Sequence, residues 1–155
     1  MHKILTNITA GKGKEGDIEL LEALAETAVE ASLCALGKSA PNPFLSTLRY
    51  FRDEYEAHIK EKRCPALSCK NLIAYHIDPD KCQACMICLR KCPAEAIDGG
   101  KKKIHIIDQE KCTNCGTCFE VCPPRFGAVE KISGVAVPAP IPEDERNITR
   151  KSTEK

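Results

Sequence analysis

The chain has 155 residues, 43% hydrophobic and 29% charged, which is the composition of a soluble globular protein with one medium domain or two small ones. A formal net charge of +1 leaves no excess of either sign for holding nucleic acid or a membrane surface, and no apolar run approaches the ~20 residues of a membrane-spanning helix. Aromatic residues are 5% and Trp is absent, so any core must rest on Leu, Ile, Val and Ala.

Residues 1–60 read as helical. Gly11, Gly13 and Gly16 break a first short segment, and Asp17 stands as N-cap of the next, with Leu20 and Leu21 just beyond it. Leu21, Leu24, Ala25, Ala28 and Val29 recur at helical spacing up to about Cys34, and Gly37 with Pro41-Asn42-Pro43 ends that element. A further helix starts near Pro43, with Phe44, Leu48, Phe51 and Tyr55 along one face and Arg52, Asp53, Glu54 and Glu56 mostly off it. Helices with one apolar stripe each cannot enclose a large core, which implies a partner helix, a partner subunit or the rest of a longer protein.

Residues 61–73 form a short connector containing Cys64, Pro65 and Cys69. Residues 74–133 contain an internal repeat with an offset of 30. Ile77-Asp78-Pro79-Asp80-Lys81-Cys82, running on to Cys92-Pro93, is matched by Ile107-Asp108-Gln109-Glu110-Lys111-Cys112, running on to Cys122-Pro123. Strand-prone stretches precede the cysteines at Ala74–Ile77 and Ile104–Ile107 and follow them at Ala96–Ile97 and Ala128–Ile132. Residues 134–155 read as a tail: Pro138, Pro140 and Pro142 favour extended chain, and Glu143 to Lys155 is charged and expected to be disordered. The expected fold class is α+β, a helical bundle fragment followed by a pseudo-symmetric β/α unit.

Eleven cysteines is the outlying number. The count is odd, and Met1 to Ala10 lacks the basic start and long apolar run of a secretory signal, so a disulfide framework is not expected and a reducing cytoplasm is. Each repeat carries C-x2-C-x2-C-x3-C-P: Cys82, Cys85, Cys88, Cys92 and Pro93, then Cys112, Cys115, Cys118, Cys122 and Pro123. Three thiolates two residues apart on a tight loop can each reach a different iron of a cubane, while the next cysteine already lies on a departing helix. Two such runs at a fixed offset are far more specific than one, which could be a zinc site by chance. The pattern over about residues 74–133 resembles the bacterial two-cluster ferredoxins, in which the fourth cysteine of each run ligates the other cluster. The resemblance therefore implies two [4Fe–4S] clusters, one on Cys82, Cys85, Cys88 and Cys122 and one on Cys112, Cys115, Cys118 and Cys92. A ligand-saturated cubane has no open position for substrate, so its expected work is one-electron transfer.

Cys34, Cys64 and Cys69 remain. His58, Cys64 and Cys69 run H-x5-C-x4-C, a ligand set that suits one Zn2+, with His76 as a candidate fourth ligand. The competing reading is a surface His and two reduced thiols. Cys34 stands alone, and a small buried hydrophobe on a helix is a normal fate for it.

Four stretches widen the resemblance: GKGKEGD at 11–17, SLCALG at 32–37, APNP at 40–43 and LSTLRYFRDEYEAHI at 45–59. Together they are similar to the C-terminal region of the flavin-bearing, NADH-oxidising subunit of NADH dehydrogenases. The variant most similar is the NAD(P)-linked subunit of multimeric iron hydrogenases, including electron-bifurcating ones, where a two-cluster ferredoxin module follows the helices. The resemblance implies a bundle that holds one more [4Fe–4S] cluster with Cys34 as its last ligand. The S-C-G-x-C-x-x-C element that supplies the other three is absent, which leaves Cys34 an orphan ligand. The flavin and dinucleotide domains are absent too, so the chain reads as a fragment or the product of a split gene and is not expected to bind FMN or NAD by itself. The His58, Cys64 and Cys69 set is similar to the zinc-binding hinge of the hydrogenase variant. Expected partners are the missing flavin domain, other subunits of an oxidoreductase complex and soluble ferredoxin. The rival readings are a freestanding ferredoxin with a helical docking extension, a zinc-binding interaction module, and an enzyme in its own right, for which no catalytic residue set is present.

Overall fold

Apolar residues recurring every three or four positions give the first half of the chain its helices, and short alternating stretches give the second half its strands. The computed structural model describes residues 1–148, which divide into two units, Met1–Ile73 and a second beginning at Ala74. Elements are mixed helix and small sheet, as the α+β class requires.

In the first unit, α1 (His2–Thr9), α2 (Asp17–Ala31), the short α3 (Ala35–Ser39) and α4 (Asn42–Glu56) are followed by a π-helical turn at Ala57–Glu61. Ile8, Ile18, Leu21, Ala25, Phe44, Leu48 and Ile59 make the core, edged by Met1, Ile4, Leu5, Leu45 and Tyr55. The ring of Tyr55 meets Phe44 edge-on, with centroids 6.0 Å apart. Arg52 joins α4 to Glu22 of α2 at 2.9 Å, an exposed pair that adds little stability beside the apolar core.

Several details differ from expectation. The N-cap of α2 is Gly16, not Asp17. Gly16 takes φ +89, and Asp17, now the first helical residue, accepts the backbone N–H of Lys14 at 2.9 Å. The helix stops at Ala31, where Ser32 turns extended, and Gly37 lies inside α3 rather than ending a helix. Phe51 departs from helical geometry (φ −132, ψ 33), which kinks α4 and carries the ring out of the buried stripe to 53% exposure. Leu24 likewise sits at the exposed edge of α2. The connector is not separate from the helices. Cys64 and Ile73 are buried, and the Lys62 ammonium donates to the carbonyl of Gly13 at 2.6 Å.

In the second unit, β1 (Ala74–Ile77) pairs antiparallel with β4 (Val129–Ile132), Ala74 facing Ile132 and Ile77 facing Val129. A second ladder joins β2 (Ile97–Gly100) to β3 (Lys103–Ile107), Ile97 facing Ile107, with an irregularity between Asp98 and Gly100. β1, β3 and β4 fall where the repeat predicts them; β2 shares only Ile97 with the expected Ala96–Ile97 and runs on to Gly100. Two one-turn helices, α5 (Ile87–Lys91) and α6 (Thr117–Val121), complete the unit. The tail is partly a correction. Glu143–Arg146 forms a 3-10 turn, Arg146 meets Asp98 at 2.7 Å, Glu143 meets Lys103 at 2.8 Å, and the Ile148 N–H donates to the carbonyl of Lys102 at 2.8 Å. Opposite charges and a backbone bond hold 143–148 where charge content alone suggested disorder. The rest of that expectation, 149–155, lies outside the described residues. Among the described residues no helix is long and apolar enough to cross a membrane.

Leu21 is fully buried at the centre of the helical core, so Leu21→Ala is expected to cost about 3 kcal/mol by transfer and cavity terms together. Urea unfolding followed by far-UV circular dichroism measures it.

Candidate metal centres

Each cysteine run begins on an aspartate turn. The Asp78 carboxylate accepts the N–H of Asp80 at 2.9 Å, and the Asp108 carboxylate accepts that of Glu110 at 3.0 Å. The Cys82 N–H then donates to the carbonyl of Asp78, and the Cys112 N–H to that of Asp108, both at 3.1 Å. The ladders tie into the same aspartates: Asp78 N–H to Ala128 and Asp108 N–H to Ala96, both at 2.7 Å. Lys81 also pairs with Asp78 at 2.9 Å and with Glu130. The ion pair with Lys81 is the main reason that the Asp78 carboxyl titrates below its ordinary range.

The loops themselves are coiled in the same way. Ala84 and Met86 flank Cys85 with φ of +48 and +66, and Asn114 and Gly116 flank Cys115 with φ of +52 and +85. Alternating right- and left-handed residues turn successive backbone N–H groups toward one side, a concavity that suits an anionic group. Met86 and Gly116 are also the N-caps of α5 and α6, which bring Cys88 and Cys118 inward to burial. Gly116 is required for a second reason: a Cβ there would lie 2.7 Å from the Tyr75 phenol oxygen.

The fourth cysteine of the first run reaches across to the second. Cys92, from the first run, lines the same small cavity as Cys112, Cys115 and Cys118 from the second. Cys122, from the second run, is among the thiols whose charge acts on Cys88, with Cys82 and Cys85. Burial first, and then these neighbours, push the Cys88 thiol up to about 11. Burial and the charge of Cys112 push Cys118 up to about 12. Clustered buried thiols thus resist becoming thiolates together unless a cationic centre sits among them, and the iron of a thiolate-bound cluster is such a centre. The residues present fit the group.

In the first unit, His58, Cys64 and Cys69 bring their ligand atoms within 4.8 Å of one another. The π turn carries His58 inward. Its Nδ1–H donates to the Glu54 carbonyl at 2.6 Å, which leaves Nε2, 3.4 Å from the Cys69 sulfur, as the free nitrogen. The Cys64 thiol is opposed by burial but accepts the N–H groups of Ser68 and Cys69 at 3.4 and 3.5 Å, and it settles at about 7. Cys69, half-buried beside it, is pushed up to about 11 by that burial and by the Cys64 sulfur. One thiol of the pair therefore ionises near neutral pH while the other keeps its proton. His76 is placed in β1 opposite Glu130 and is not one of the three. Cys34 is exposed, not the buried hydrophobe of the alternative reading, and stands in extended geometry just before α3 between the exposed Leu33 and Leu36.

Comparison with known proteins agrees with both halves. Residues 1–58 match the NADH-ubiquinone oxidoreductase-F iron-sulfur binding region, and residues 75–129 match the 4Fe-4S dicluster domain. The chain is homologous over part of its length to the NADP-reducing hydrogenase subunit HndC of Solidesulfovibrio fructosivorans, 48% identical over 105 residues that make up 68% of this chain and 21% of that protein. The helical region is homologous to the F subunits of two NADH-quinone oxidoreductases, those of Streptomyces coelicolor (44% identical, 41% of this chain, 14% of that protein) and of Escherichia coli (42%, 38% and 14%). The chain thus spans about a fifth or less of the length of the relatives it matches.

His105 and Tyr75 belong to the sites although neither stands out in the sequence. Both are buried, and each lies against a cysteine loop. The signal that could have found them was positional: they occupy the same place in the two repeats, and His105 interrupts an otherwise apolar strand.

Gly116→Ala forces a left-handed φ on a residue with a Cβ, a cost of about 1–2 kcal/mol before any clash with Tyr75. The variant is expected to retain less iron than the parent chain after gel filtration, and adding Tyr75→Phe should recover the steric part of the loss.

Proposed function

We propose that the chain is an electron-transfer module that holds two [4Fe–4S] clusters, one on Cys82, Cys85, Cys88 and Cys122 and the other on Cys112, Cys115, Cys118 and Cys92. The observation that carries this reading is the crossing of the fourth cysteine, with Cys92 lining the cavity of the second run. When bound, each cluster supplies one-electron exchange with every iron position filled by protein sulfur and sulfide. The chain's own part is to hold eight thiolates, to aim loop N–H groups at their charge and to keep water from the buried Cys82, Cys88 and Cys118.

The first unit is the docking half. It presents Leu33, Leu36, Tyr50 and Phe51 to solvent, a set of large apolar groups that a freestanding carrier has no reason to expose. This supports a place in an NAD(P)H-linked oxidoreductase complex, of the multimeric hydrogenase type, with a flavin-bearing domain, other subunits and soluble ferredoxin as partners. Cys34 would then be the last ligand of a further cluster, whose other three cysteines are not among these 155 residues. His58, Cys64 and Cys69 would hold one Zn2+ with a fourth ligand from elsewhere; burial, the oriented imidazole and the shared proton of the thiol pair all support it.

Anaerobic purification followed by metal analysis tests the whole reading. About eight iron and eight sulfide with about one zinc per chain are expected. Negligible iron with several zinc would overturn electron transfer and leave an interaction module. Cys118→Ala should remove or convert one cluster, while Cys34→Ala should leave both intact; loss of either cluster in the second variant would sink the ligand assignment.

Zinc affinity should depend on pH with a definite sign. Between about 7 and 11 only Cys69 gives up a proton to the metal, so affinity should fall roughly tenfold per pH unit as pH falls. Below about 7 the Cys64 proton must be displaced as well, and the slope should double. Competition with a chelator on either side of about pH 7, where the Cys64 thiol changes state, reads both slopes.

A further inference from the structure

Superposing the repeat on itself places Tyr75 of β1 and His105 of β3 at the same position, 30 residues apart. Both rings are buried, at 4% and 1% exposure, and both face the residue that follows the middle cysteine of a ligand run. There the halves diverge. Tyr75 sets its phenol against Gly116, which has no side chain, and His105 sets Nε2 3.4 Å from the sulfur of Met86. The smaller ring is matched with the longer side chain and the larger ring with none, so each site is filled but with different chemistry.

The other nitrogen of His105 matters more. Nδ1 lies 3.8 Å from the Cys82 sulfur, and both groups are buried. The ring is held in that orientation by the bulged strand beside it: a Cβ on Gly99 would fall 2.1 Å from Cδ2 of the imidazole, so the ring occupies space that only glycine leaves. A thiolate that ligates iron carries no proton. The contact is then attractive only with the proton on Nδ1, and the charged thiolate is a stronger acceptor for the ring's single proton than the neutral thioether of Met86 at Nε2. In the other run the counterpart Cys112 faces the Asn114 side-chain oxygen at 3.5 Å, an acceptor, and the Thr117 hydroxyl lies 3.4 Å from the sulfur of a different cysteine, the exposed Cys115.

We propose that His105 is a positioning residue that donates its Nδ1–H to the Cys82 thiolate and raises the reduction potential of the cluster on Cys82, Cys85, Cys88 and Cys122, leaving that of the other cluster alone. A donor on a ligand sulfur withdraws electron density, which favours the more negative, reduced state. Reduction here adds one electron, taken from the reduced neighbouring cluster or from the redox partner, and moves no proton, because His105 keeps its own. The proposal rests on the two-cluster reading above.

The test uses the full chain, loaded with iron and sulfide, in redox titrations followed by electron paramagnetic resonance. His105→Leu should lower one of the two potentials and leave the other in place, and His105→Gln, which restores an N–H donor, should recover part of the shift. Parent protein labelled with 15N-histidine should show a nitrogen coupled to one cluster, lost in both variants. If His105→Leu fails to load its cluster, the 15N coupling in the parent chain decides. Coupling supports the proposal, and its absence overturns it. Equal shifts of both potentials, or none, in a fully loaded His105→Leu also overturn it while the two-cluster reading stands. A parent chain that binds no iron overturns both.

Discussion

Thiols crowded into a low-dielectric interior cannot all ionise, and the second unit is built around that constraint. Cys88 and Cys118 sit where burial and neighbouring sulfurs hold them protonated in the absence of a cation. Everything else in the unit serves to keep them there. The aspartate turns fix where each loop begins, left-handed residues on either side of the middle cysteine fix its coil, and two short antiparallel ladders clamp the ends. Tyr75, Ile77, Ala96, Ile97, Ala128 and Val129 give the unit a small buried apolar set beside its sulfurs.

The helical unit is governed by the opposite balance. Seven buried residues give it a modest apolar centre, while α3 and the kinked part of α4 leave large side chains in water. Between the two kinds of cohesion stands the His58, Cys64 and Cys69 trio. It gathers the π turn and the following connector around one point, where a dozen residues without regular structure would otherwise have only Ile73 and Cys64 to bury.

Much of this was legible in the residues. The offset of the repeat located β1, β3 and β4 and the first residue of β2, because alternation of apolar residues and proximity to the cysteine runs act locally. The two C-x2-C-x2-C-x3-C runs single out eight cysteines as candidate ligands, and H-x5-C-x4-C found a trio that the fold does bring together. What escaped depended on relations the linear pattern does not carry. The exposure of Phe51 follows from a backbone kink, and the ordering of Glu143 to Ile148 follows from charges met across the chain at Asp98 and Lys103. His105 escaped because a histidine within Ile104 to Ile107 has meaning only beside Cys82, which lies 23 positions earlier.

The returning tail has one more consequence. A two-stranded ladder has two open edges, and an open edge is an invitation to pair with another chain. Asn147 bridges to Lys103, and the neighbouring N–H of Ile148 takes the Lys102 carbonyl, so one end of β3 is already occupied from within. Glu143 adds charge at the same strand through Lys103, and Arg146 reaches Asp98 of β2. For a chain carrying so many reactive sulfurs, self-association along a strand would bring thiols of different molecules together, and the tail obstructs one such position, the start of β3, with its own backbone.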